Sequence, residues 1–157
     1  MVNITSVNCS FPPRTLPALC VVEGRGVEHR KIGKVLLEKR TDGKLYANGI
    51  EIIRYLLPYQ RSRKTIRGHE LRRRLRNKQV LNACILDALL KYPELIPEDW
   101  KKGKTYFWGT IFMGRRRLLG VEYLYWNGQK WHWSFNWLKE LIGREPAACL
   151  ADLPLAA

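Results

Sequence analysis

Acidic residues are scarce in this chain of 157 residues: 14 Asp and Glu stand against 28 Lys and Arg, which leaves a net charge of +14. Such a balance favours a polyanionic partner, because each cation set against a phosphate releases condensed counterions and binds with little regard to sequence. RNA, DNA, anionic lipid and acidic proteins all meet that description. Cysteine is sparse as well. Cys9, Cys20, Cys84 and Cys149 form no C-x-x-C pair and have no histidine at ligand spacing, which argues against a zinc site. A chain of this length builds its own core without disulfides, so the thiols read as reduced and the compartment as cytoplasmic.

Long apolar runs are missing too. The stretch Leu16 to Val22 is interrupted by Pro17, no basic residue precedes Arg14, and Leu19 is too large for the position before a cleaved Cys20. These features speak against a lipoprotein leader, and the run is far too short to span a bilayer. Nucleotide-loop and catalytic motifs are equally absent. Gly24-Arg25-Gly26 has no preceding strand and no Walker lysine and serine, and the zincin-like start at His69-Glu70 meets Arg73 where a second histidine is required. His29, His69 and His132 have no adjacent nucleophile or carboxylate arrangement. No catalytic residue, metal or cofactor is assigned from the sequence, and an enzyme could arise only from residues assembled in space.

What is present suits one folded domain: 46% of residues are hydrophobic and 11% aromatic. Residues 1–31, with Pro12, Pro13, Pro17, Gly24 and Gly26 and no sustained apolar period, read as a mobile or loosely packed tail. From Ile32 two short apolar runs flank Asp42-Gly43, a hairpin signal. Residues 50–57 either extend the second strand or form a short helix stopped by Pro58, and the helix is preferred. Helices are also expected over 68–78, with Leu71 and Leu75 on one face, and over 82–92, with Leu81, Ile85, Leu86, Leu89 and Leu90 as its stripe and Pro93 as its stop. Pro97 suits the first turn of another short helix.

The last third alternates with a period of two. Strands are expected over 106–112, 118–126 and 130–138, the last two joined by a tight Asn127-Gly128 turn with both central residues at positive φ. In the third strand Trp131, Trp133, Phe135 and Trp137 form an aromatic face that should meet the helices, with Trp126 and Trp131 partly exposed at the turn. Residues 146–157 read as a short helix on the sheet. The expected fold over 32–157 is therefore a single α+β domain, with helices packed on a C-terminal three-stranded antiparallel sheet and an N-terminal β-hairpin.

The order of Gly68-His69-Glu70-Leu71-Arg72, Val80-Leu81-Asn82-Ala83-Cys84-Ile85-Leu86-Asp87, Pro93 to Lys101, Phe107-Trp108-Gly109-Thr110-Ile111 and Tyr125-Trp126-Asn127-Gly128 resembles a family of small uncharacterised proteins. That family occurs in reduced-genome, candidate-phylum (Parcubacteria-like) bacteria. The resemblance covers about residues 49–150 and implies a bacterial source and a cytoplasmic setting, with no activity to carry over.

Most of the net charge is concentrated in one place. From Arg54 to Lys78, ten Lys and Arg face Glu70 alone. Within this segment Arg61, Arg63, Lys64, Arg67, Arg72, Arg73, Arg74, Arg76 and Lys78 are the candidate nucleic-acid-binding residues, because arginine forks make bidentate contacts along a phosphate backbone. A helix-turn-helix reading fits poorly, since the basic helix comes first and the groove-reading helix is normally second. The expected function is low-specificity nucleic-acid binding, RNA ahead of DNA. The alternative is an inhibitor or adaptor whose basic face meets an acidic protein, and no membrane partner is expected.

Overall fold

The computed structural model describes residues 4–8, 27–29, 33–62 and 64–151. Its frame is one mixed sheet of nine strands, described here in chain order. Strand β1 (Ile4–Asn8) and the short β2 (Val27–His29) come from the first thirty residues. Strand β3 (Lys34–Lys39) turns at Asp42-Gly43 into β4 (Leu45–Ala47), where Asp42 Oδ1 accepts the Lys44 N–H at 2.9 Å. Only two residues, Asn48 and Gly49, then lead into β5 (Ile50–Tyr55), and both are left-handed, with φ of 49° and 81°. That is the geometry a two-residue hairpin requires, and asparagine and glycine adopt it at least cost.

Strands β7 (Thr105–Met113), β8 (Leu119–Trp126) and β9 (Trp131–Trp137) form an antiparallel meander. The link between the two halves is β11 (Ala147–Leu150), which pairs antiparallel with β5 and, through Ala147 opposite Tyr106, parallel with β7. The sheet order is β1-β3-β4-β5-β11-β7-β8-β9, with β2 on the distal half of β7. Gln79 to Leu81 fills the gap where β11 and β7 diverge: Leu81 N–H donates to the Ala148 carbonyl at 3.0 Å, and Gly109 N–H to the Leu81 carbonyl at 2.9 Å.

Both faces of this sheet are covered around β7, which is buried over almost its whole length, whereas at the β1–β3 end Ile4 and Leu36 are exposed. One face, with Val35, Leu37, Leu45, Ile52, Phe107 and Leu124, packs on α3 (Ala83–Lys91) and on Leu95, Ile96 and Trp100 of two 3₁₀ turns. Helix α3 starts at Asn82, whose side chain accepts the Cys84 N–H at 3.0 Å. The opposite face, with Tyr106, Trp108, Ile111, Val121 and Tyr123, lies under α1 (Pro58–Arg61), α2 (Gly68–Arg74) and a ribbon of β6 (Ile66–Arg67) and β10 (Leu141–Ile142). The buried Tyr106 hydroxyl donates toward Asn136 Oδ1 at 2.9 Å and Glu145 Oε2 at 3.2 Å. Burial first, and then the Glu145 charge, push that phenol far above its ordinary range. Among the described residues, no helix is long and apolar enough to cross a membrane.

This architecture overturns the expected α+β arrangement of helices on a C-terminal three-stranded sheet. The meander is only one end of a mostly β structure, and the hairpin expected beside it is the other end of the same sheet. Residues 50–55, read as helix, form β5, because Ile50, Ile52 and Ile53 are β-branched and the Asn48-Gly49 turn sets them in register with β4. Residues 147–150, read as helix, form β11. There the small side chains of Ala147, Ala148 and Cys149, each at most 2% exposed, let a central strand sit between two covered faces. The Asn127-Gly128 turn is also wider than expected. Trp126 pairs with Trp131, so four residues connect the strands, and Asn127 Oδ1 accepts the N–H groups of Gln129 and Lys130 at 2.9 Å each. The tail expected over 1–31 lies mostly outside the described residues, and the two described parts of it are β1 and β2.

Candidate nucleic-acid interface

Helix α2 is anchored by Leu71 and Leu75, which are 1% and 2% exposed. Its first residue sits against the chain leaving β9: a Cβ on Gly68 would lie 2.7 Å from Leu138 Cα, and the His69 N–H donates to the Leu138 carbonyl at 3.0 Å. The sequence therefore fixes which way the rest of α2 points. Helix α2 ends at Arg74, short of the Lys78 expected from the sequence, so that His69, Arg72 and Arg73 on the helix and Arg76 in the turn after it follow the i, i+3, i+4, i+7 spacing of one stripe. Together they line a cleft of about 450 Å³ whose apolar wall is Leu75, Val80 and Trp108. Trp108 is 5% exposed, and its buried indole N–H has no hydrogen-bond partner among the described residues.

The adjoining stripe of α2 has a different character. Glu70 accepts hydrogen bonds from Arg73 and from Arg74, the latter at 2.9 Å, and these two contacts hold its carboxyl below the ordinary carboxylate range. Arg74 also lies over the Tyr59 ring, 5.1 Å from its centroid, and Lys64 lies over the same ring at 5.2 Å. Tyr59 remains 37% exposed, so an accessible aromatic ring sits among cations on α1. Lys78 is turned away and covers Tyr55 at 4.6 Å.

The candidate cations thus divide. Arg72, Arg73 and Arg76 come together at the cleft, and Lys64 and Arg74 at Tyr59. Arg67 donates to the Lys139 carbonyl at 3.0 Å, Arg61 is exposed on α1, and Arg63 lies outside the described residues. Arg54, part of the same charge run, is half-buried and ties β5 to Thr105 Oγ1 at 2.9 Å, and burial lowers its pKa. The aromatic row of β9 lies on the α3 side, where Trp131 and Trp133 pack on the core and Phe135 meets Phe112 edge-on at 5.2 Å. At the turn, Trp126 meets Trp131 at 5.4 Å and carries Lys101 over its ring at 4.2 Å.

Sequence reasoning missed His69, Trp108 and Tyr59 as parts of the site. The 69/72/73/76 spacing was the readable signal for His69. Trp108 and Tyr59 join through tertiary packing that no spacing encodes. Chemically, the cleft presents guanidinium and imidazole N–H groups, both suited to holding an anion. Among the described residues, no three His, Cys, Asp or Glu side chains are grouped to hold a metal. No protein-family model, curated protein or solved structure matches this chain. The bacterial family resemblance of residues 49–150 therefore rests on its motifs alone.

Proposed function

We propose that this protein binds nucleic acid through phosphate contacts made by α2, with low sequence specificity and with RNA ahead of DNA. The observation that carries this reading is the cleft stripe of His69, Arg72, Arg73 and Arg76, four nitrogen-bearing side chains gathered at one opening. Arginine forks pair bidentately with phosphate oxygens, and counterion release supplies the affinity. The exposed Tyr59 ring, with Lys64 and Arg74 beside it, supports a single-stranded partner, whose unstacked bases can lie on an aromatic face. The cytoplasm is the matching setting.

The test compares three polyanions at equal ionic strength: oligouridylate, oligodeoxythymidylate and polyglutamate. The expected order is oligouridylate first, oligodeoxythymidylate close behind and polyglutamate far weaker, because carboxylates along a peptide match neither the phosphate spacing nor the ring. Polyglutamate binding as tightly as the nucleic acids would overturn the reading in favour of an acidic protein partner.

A further inference from the structure

The connection between β7 and β8 is built from Gly114-Arg115-Arg116-Arg117, and its backbone is unusual. Arg116 and Arg117 are both left-handed, with φ of 61° and 59°, and both side chains are exposed. A residue with a Cβ occupies that region at a cost, and turns that need it usually recruit glycine or asparagine, as Asn48 and Gly49 do in this chain. Here two consecutive arginines occupy it. Strained positions of this kind are concentrated at functional sites. Among the described residues neither Arg116 nor Arg117 makes an ion pair, whereas Arg73 and Arg74 share Glu70.

The turn is linked to α2 through the chain leaving β9, although more than forty residues separate them in sequence. Two residues beyond Arg117, the Leu119 carbonyl accepts the Leu138 N–H at 2.7 Å, and the Leu138 carbonyl accepts the His69 N–H at 3.0 Å. Two interstrand steps of roughly 5 Å and two residues of chain limit the backbone separation of Arg117 and His69 to about 17 Å. Helix α2 and the turn after it add about 10 Å from His69 to Arg76. A path of about 27 Å from Arg76 to Arg117 matches at most about eight stacked nucleotides, at roughly 3.4 Å each.

We infer that Arg116 and Arg117 are a second phosphate-contacting element, so that one nucleic-acid strand runs from the α2 cleft to the β7–β8 turn. This inference rests on the α2 reading and extends it to a two-part surface with a defined length requirement.

Oligouridylates of about three and about twelve nucleotides separate the two parts, the shorter reaching one cluster and the longer bridging both. The Arg116→Gln/Arg117→Gln protein should bind the short oligonucleotide like the parent. With the long one its salt slope, d log K/d log[salt], should be shallower by about 1.4, two contacts at roughly 0.7 each for single strands. Arg116→Lys/Arg117→Lys should keep the parent's slope, which separates lost charge from a damaged turn. A long-oligonucleotide slope unchanged by the glutamine pair, together with a slope reduced by Arg72→Gln/Arg73→Gln/Arg76→Gln, would overturn the second element and leave the α2 reading standing. Failure of the parent to bind at either length would overturn both.

Discussion

Glu70 is the acid that tempers α2. Its carboxylate draws on Arg73 and Arg74, so part of the charge of the helix is spent inside the helix before any partner arrives. Because these groups are solvent-exposed, their pairing contributes little to folding. Its effect on a bound phosphate is direct, through like-charge repulsion and through competition for the guanidinium forks. Glu70→Gln should therefore strengthen oligonucleotide binding several-fold at low salt, with an unfolding curve close to the parent's. Weaker binding would show that Glu70 orients the arginines that meet phosphate. The pH dependence has a definite sign. Glu70's folded pKa is depressed, so whatever stability it contributes is present above the ordinary carboxylate value and is lost as pH falls through the folded value. Binding changes in the opposite sense, strengthening in the parent over that acidic range and losing this component in Glu70→Gln.

Among the elements, α2 matters through its seating. It has only seven residues, too few for a helix to persist alone, and Gly68 lets its first turn approach the Leu138 backbone closely. Gly68→Ala gains roughly 1 kcal/mol in intrinsic helix propensity. The added methyl, however, meets main-chain atoms that cannot rotate aside, and overpacking of that kind costs about 1–3 kcal/mol. The expected net result is a lower Tm in thermal unfolding, together with weaker oligonucleotide binding as the arginine stripe moves. A raised Tm would contradict this packing. Element by element, the sequence was legible where the period was long and regular: α3, the meander strands and the β3–β4 hairpin stand within a residue or two of expectation. It misled where short apolar runs fit either period. Ile50 to Tyr55 carries its decisive signal just outside the run, in Asn48-Gly49, and Ala147 to Leu150 is a strand only because β5 and β7 are there to receive it. The site was partly readable for the same reason. The arginine stripe of α2 follows from helical spacing, whereas Tyr59 and Trp108 reach it through contacts between distant segments.

For the whole molecule, the covered sheet explains how a chain of net charge +14 folds without strong self-repulsion in its core. Apolar and aromatic side chains fill both faces of the central strands, while many of the arginines and lysines lie on α1, α2 and the turns. One layer, carried by α2, gathers cations. The central claim is that this cationic layer meets phosphates, and the salt dependence of oligouridylate binding tests it most directly, measured for the parent and for Arg72→Gln/Arg73→Gln/Arg76→Gln. The expected result is a steep fall of log K with log[salt] in the parent, a slope shallower by about 2 in the triple variant at roughly 0.7 per contact, and closely similar unfolding curves, since glutamine keeps helix propensity near that of arginine. An identical slope in the two proteins, with both folded, would contradict the claim.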